Sequence, residues 1–175
     1  VFLERVKEDG KKIVLISNAP RPTSMVEDQL TNKLGLNKNL YDFIVTSGDI
    51  TVNFLNHKSF GKTYYHLGPM KDKDLLSNIE INQAEELSQA DFVLCTGIDD
   101  DELETVNDYK HILNDMKKLK LPMVCANPDK IVYRGEKKID CAGALAFNYE
   151  KMGGIVKYFG KPYNEIYEYI LNRLN

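Results

Sequence analysis

The 175-residue chain carries 23 Lys and Arg against 26 Asp and Glu, a formal net charge of -3, and 43% hydrophobic residues. That length can bury a sizeable core, and the scattered basic residues give no electrostatic stripe for a nucleic-acid polymer. No apolar run approaches the roughly 18 to 20 residues that span a bilayer.

At the front, VFLERVKEDG reads as the second half of an amphipathic helix, with no signal-peptide pattern and no initiator Met. The expectation is that the chain was cut from a longer one. IVLIS (13 to 17) has the apolar run of a strand. Ser24, with Glu27 three residues on, has the spacing of a capping box, and Val26, Leu30 and Leu34 then recur at helical spacing before Gly35 stops the pattern. DFIVTS (42 to 47) predicts a strand, 49 to 56 a short helix, and TYYHLG (63 to 68) and DFVLCTG (91 to 97) two further strands.

The acidic run Asp99-Asp100-Asp101-Glu102 opens a periodic stretch to Lys120, with Leu103, Val106, Tyr109, Leu113 and Met116 on one face. Acids at its start and lysines at its end complement the helix macrodipole, so the run needs no metal. PMVCANPD (122 to 129) reads as a strand and turn, CAGALAFNYEKMGG (141 to 154) as a helix, and IVKYFGKP (155 to 162) as a strand and turn. A last helix carries Ile166, Ile170 and Leu174. Strands alternating with helices imply an α/β fold with a largely parallel sheet.

Cys95, Cys125 and Cys141 are too far apart for a zinc ribbon and odd in number, which fits free thiols in a reducing cytoplasm. His57, His66 and His111 stand alone and read as surface or packing residues. The turn after IVLIS contains no glycine, which excludes both the dinucleotide fingerprint and the P-loop there.

Ligands of open α/β sheets bind beyond the carboxyl ends of the strands. Three such ends carry polar residues. Ser17-Asn18 suits an anionic oxygen, and Ser and Asn are equally common turn residues. Lys161, in Gly160-Lys161-Pro162, is either a compact cation for phosphate or a solvated lysine, with Pro162 opening the next helix. Asn127-Pro128-Asp129 is a strong turn former in its own right.

In their order along the chain, SNAPRP, TSGD, ADFVLCTG, CANPD, CAGALA and GKP resemble the haloacid dehalogenase-like hydrolase superfamily, class IIA, the branch of nucleotide-monophosphatase-like and para-nitrophenylphosphatase-like enzymes. The resemblance implies a Rossmann-like parallel-sheet core, here incomplete, over 1 to 60 and 155 to 175, with an inserted α/β cap over 61 to 154. It implies that Ser17, Asn18 and Lys161 bind phosphate, and that Asn127 and Asp129 lie on the cap side near the leaving group. It also implies a Mg2+-dependent phosphatase working through an aspartyl-phosphate on a small phosphorylated metabolite, in the cytoplasm, with no nucleic-acid or membrane partner and with a tendency to homo-oligomers.

The departures are specific. The family's nucleophile and acid/base lie in a DxD motif that should precede residue 1, and its acidic metal ligands should follow the third motif, beyond Asn175. Asp49 and Asp99-Asp100 fall between the second and third motifs, the wrong order for metal ligands. The chain is therefore expected to be silent alone, and to associate or aggregate through sheet surface left uncovered by the missing strand. A non-catalytic binding or scaffold protein that retains the fold is the alternative.

Overall fold

The structure, a computed structural model, describes residues 2–57 and 60–175. Nine strands and seven α-helices alternate among the described residues. Helix α1 (Phe2–Glu8) leads into β1 (Val14–Ser17), which pairs in parallel with β2 (Phe43–Thr46), Ser17 opposite Thr46. Between them lies α2 (Thr23–Asp28), and after them α3 (Ser47–His57).

A second sheet has the order β4-β3-β5-β6-β9, every pair parallel. Its strands are β3 (Thr63–Leu67), β4 (Asn82–Ala84), β5 (Phe92–Cys95), β6 (Met123–Cys125) and β9 (Val156–Tyr158). Helices α4 (Lys73–Leu76), α5 (Lys110–Lys118), α6 (Ala142–Lys151) and α7 (Asn164–Leu174) complete the α/β layering, and β7 (Ile131–Arg134) and β8 (Lys137–Asp140) form a hairpin.

Phe92, Val93, Leu94 and Cys95 are all buried. A parallel strand covered on both faces needs such a run, because successive side chains point to opposite sides. Val93 and Cys95 pack with Leu113, Met116, Leu145 and Tyr149 of α5 and α6. Phe92 and Leu94 pack with Val45 of β2, Leu55 of α3 and Ile166 of α7. The five-stranded sheet and the β1–β2 layer therefore share one apolar cluster. The expected division at residue 155 runs between β6 and β9, two strands that hydrogen bond to each other.

Several local expectations change. Ser24 caps nothing: α2 begins one residue earlier, after Pro22, with no side-chain cap. The carboxylate of Asp49, from α3, instead accepts the Thr23 N–H at 3.0 Å. Glu27 turns outward to Lys38, at 2.8 Å, and accepts from the Tyr41 hydroxyl. Beyond Asp28 the helix widens to π geometry over Gln29–Lys33, which rotates Leu34 off the apolar face and leaves it 68% exposed.

The long helix expected from residue 99 starts later. Thr105 and Asp108 form the capping box, so the regular structure begins at Val106 and Leu103 is exposed. The acidic run is spent on ion pairs: Asp101 with Lys71 and Arg134, Glu102 with Arg134 and Lys137. That tertiary pairing, not a macrodipole, places those charges. The β7–β8 hairpin did not emerge from the sequence, although Arg134-Gly135-Glu136-Lys137 is a turn signal and Gly135 has φ +63°. Pro162 lies ahead of α7, which begins at Asn164.

Tyr149 marks the most tightly specified point of the core. Its hydroxyl donates to the buried Leu121 carbonyl at 2.6 Å. A Cβ on Gly154 would sit 2.3 Å from its ring, so only glycine lets the chain turn there into β9. Tyr149→Phe strands a buried carbonyl and should cost about 1 to 3 kcal/mol, whereas Tyr149→Ala should cost about 3 to 5 kcal/mol. Urea unfolding monitored by circular dichroism reads both.

Candidate active site

Both parallel sheets direct carboxyl ends of strands toward one cleft of about 500 Å³. Ser17, Asn18 and Arg21 reach it from the end of β1, Asn127 and Asp129 from the end of β6, and Lys161 from the end of β9. The five residues expected from sequence are therefore brought together at one place, from segments more than a hundred residues apart.

Asn18 joins them. Its side-chain amide donates to Asp129 Oδ1 at 2.8 Å and to the Lys161 carbonyl at 3.0 Å, while Oδ1 accepts the Lys161 N–H at 2.7 Å. The residue is 8% exposed. Its carboxamide is thus committed to the protein on both sides, and the sequence expectation of a free anion-binding amide meets a residue that locks strand ends. Gly160, at φ +115°, makes the approach possible: a Cβ there would come within 2.7 Å of Asn18 Oδ1.

Lys161 folds its ammonium back over β1 and donates to the Ile16 carbonyl at 2.9 Å. It stands beside Ser17, whose Oγ accepts the Ala19 N–H at 3.2 Å and keeps its own proton to donate. Asn127 Oδ1 accepts the Asp129 N–H at 3.0 Å, closing the Asn-Pro-Asp turn on itself. Gly143 of α6 lets that turn pack down, since a Cβ there would lie 2.2 Å from the Pro128 carbonyl oxygen.

The segment Thr46-Ser47-Gly48-Asp49 clamps the SNAPRP loop, a role that its sequence did not disclose. Thr46 Oγ1 donates to the Arg21 carbonyl at 2.7 Å, and Gly48 N–H donates to the Ala19 carbonyl at 3.2 Å. Ser47 Oγ lies 2.5 Å from the Ala126 carbonyl and 3.1 Å from the Ala19 carbonyl, so its hydroxyl ties β6 to the loop after β1. Asp49 binds a backbone amide, as described, which explains the acid without a metal.

The far wall is built by Lys71, Asp72, Thr96, Asp101, Arg134 and Cys141. Arg134 and Lys71 beside Asp101 hold its carboxyl below the ordinary carboxylate range. Burial pushes the Cys141 thiol up to about 11 and the Cys125 thiol up to about 12, which leaves both unreactive at neutral pH. Cys95, Cys125 and Cys141 are free. Burial lowers the His66 imidazole to about 4, so it is neutral, and its Nε2 lies 2.9 Å from Thr96 Oγ1.

Among the described residues no group of three or more His, Cys, Asp or Glu side chains is placed to hold a metal ion. No described helix is long and apolar enough to cross a membrane.

Asn18→Ala removes three hydrogen bonds and leaves the Asp129 carboxylate and the Lys161 backbone unpaired. It should cost about 2 to 4 kcal/mol in urea unfolding, and it should raise amide exchange at Lys161, read by hydrogen exchange.

The haloacid dehalogenase-like hydrolase family profile matches residues 1–82. No curated protein matches the chain. A haloacid dehalogenase-like hydrolase from Brucella suis is 38% identical, with a TM-score of 0.89 over 98% of this chain and 62% of its own. The p-nitrophenyl phosphatase of Archaeoglobus fulgidus, at 19% identity, has a TM-score of 0.73 over 98% of this chain and 64% of its own. NagD from E. coli K-12, at 23% identity, has a TM-score of 0.67 over 98% and 65%. The chain thus spans a little under two thirds of each of these proteins, and with the last two the likeness is one of fold. With its motifs in family order and its strand ends converging on one cleft, the chain is similar to the haloacid dehalogenase-like hydrolases, by family profile over residues 1–82 and by structure over 98% of its length.

Proposed function

We propose that this chain supplies the phosphate-holding and substrate-covering parts of a class IIA phosphatase acting on a small phosphomonoester. One observation carries the reading: Asn18 bolts the ends of β1, β6 and β9 together, so that the Lys161 ammonium and the Ser17 hydroxyl face one cleft. A lysine ammonium in a partly dehydrated cleft attracts a phosphate dianion more strongly than it would in water. Ser17 offers a hydroxyl proton to a phosphoryl oxygen, and Arg21, whose guanidinium makes no hydrogen bond or ion pair among the described residues, adds a second cation on the same wall.

On the cap side, the 61 to 154 segment covers the cleft and shields it from bulk water, which strengthens those charge interactions. The carboxylate that attacks phosphorus in the family reaction belongs to a DxD motif ahead of the second motif, and no such motif stands before Ser17 in residues 1 to 16. The steps proposed for this chain's own residues are binding, orientation and charge neutralisation. Free thiols suit a reducing compartment, which favours the cytoplasm.

Inorganic phosphate titrated into the protein should bind in this cleft, read by calorimetry and by 31P NMR. Lys161→Met should weaken it about tenfold or more, the loss of one charge-assisted contact. Binding that is absent, or indifferent to Lys161→Met, would overturn the reading. Residues 1–175 as an isolated polypeptide should give no Mg2+-dependent turnover of para-nitrophenylphosphate, and measured turnover would show that the nucleophile lies within them.

A further inference from the structure

Asp72 is the group in the cleft that the binding scheme leaves unused. It lines the same cavity as Ser17 and Lys161 but comes from the cap side, at the turn that opens α4. Only 4% of the residue is exposed, and its Oδ2 is closed to bulk solvent with no hydrogen-bond partner. Of the described residues, only Thr31 shares that condition. A buried polar atom without a partner is costly, and one that a folded protein retains calls for a reason, a role at a site among them.

The surroundings hold Asp72 in place. Its N–H donates to the Pro69 carbonyl at 3.0 Å, which fixes the turn. Gly68, at φ +156°, brings that turn against Thr96; a Cβ there would lie 2.1 Å from Thr96 Oγ1. The Thr96 hydroxyl, 2.9 Å from Nε2 of the neutral His66, lies near enough to Asp72 to favour its ionised form, yet Oδ2 keeps no hydrogen-bond partner. Among the described residues Asp72 forms no ion pair: Lys71 is turned to Asp101. Burial raises its pKa, with the Thr96 hydroxyl and the charges of Lys71 and Arg21 opposing, so the acid keeps its proton further toward neutral pH than an exposed aspartate.

We propose that Asp72 sets leaving-group specificity, its carboxyl turning the unpaired oxygen out into the cleft to hydrogen bond a hydroxyl of a polyol or sugar-like phosphomonoester seated on Ser17 and Lys161. A carboxyl accepts from a hydroxyl in either protonation state and also donates when protonated, so a substrate hydroxyl can satisfy it. A site built to pair a substrate hydroxyl rejects analogues that lack one, because its own buried group is then left bare. This assignment rests on the phosphatase reading of the cleft.

The test compares inorganic phosphate, glycerol phosphate, phenyl phosphate and phosphoethanolamine by calorimetry, with EDTA present to prevent turnover. Glycerol phosphate should bind more tightly than phenyl phosphate. Asp72→Ala should weaken glycerol phosphate about tenfold and leave inorganic phosphate unchanged, while Asp72→Asn, which keeps a donor and an acceptor, should stay within about threefold. Equal losses for glycerol phosphate and inorganic phosphate, or no loss for either, would overturn the role of Asp72. A loss confined to phosphoethanolamine would also overturn it, in favour of an ionised Asp72 that takes an ammonium. Failure of the unaltered protein to bind inorganic phosphate would instead remove the phosphatase reading beneath it. Melting curves confirm that each variant is folded, and where Asp72→Ala is not, Asp72→Leu, which fills the same space without a polar atom, should show the same selective loss of glycerol phosphate.

Discussion

The side chain of Asn18 is the constraint on which the arrangement of the cleft depends. One carboxamide, with two donor hydrogens and one acceptor oxygen, reaches a carboxylate after β6 and both backbone groups of Lys161 after β9. Hydrogen bonds of this kind contribute modestly when made but cost more when a buried partner is abandoned. The three strand ends therefore hold one another in register, and no end can shift without exposing the others. Gly160 and Gly143 are required for the same reason, since a side chain at either would push the backbone out of reach.

Around that junction the polar residues form two tiers. Thr46, Ser47 and Asp49 hold the backbone of the SNAPRP loop, while Asn127 closes its own turn. Only after these are satisfied do Ser17, Lys161, Arg21 and Asp72 remain with capacity toward a ligand. Functional groups stand on rigid supports, and the supports are themselves polar side chains with their hydrogen bonds complete. The apolar cluster below, shared between the β1–β2 layer and the five-stranded sheet, fixes the two sheets relative to each other. That keeps Ser17 and Lys161 on one wall.

The acidic residues show how context decides the role of a charge. Asp49 binds a backbone amide, Asp101 and Glu102 hold the β7–β8 hairpin through Arg134 and Lys137, and Asp129 receives the Asn18 amide. Asp72 alone among these is buried without an ion pair or a full set of hydrogen bonds. Four aspartates that look alike in a sequence are separated by the geometry that surrounds them.

What the sequence by itself determined was whatever depends on nearest neighbours and on motif order. The apolar runs at 13 to 17 and 91 to 97 become β1 and β5, the β-α-β alternation becomes a parallel sheet, and SNAPRP, NPD and GKP mark the residues that line the cleft. Element ends were less legible. The capping role passed from Ser24 to Asp49, and the start of the α5 segment moved from Asp99 to Thr105, because partners remote in the chain supplied bonds that local spacing does not reveal. Only the tertiary structure decided that Asn18 is a tie between strands, and that Ser47 joins a loop to β6. It alone sealed one oxygen of Asp72 away from water, since burial and pairing arise only when segments remote in the chain are packed together.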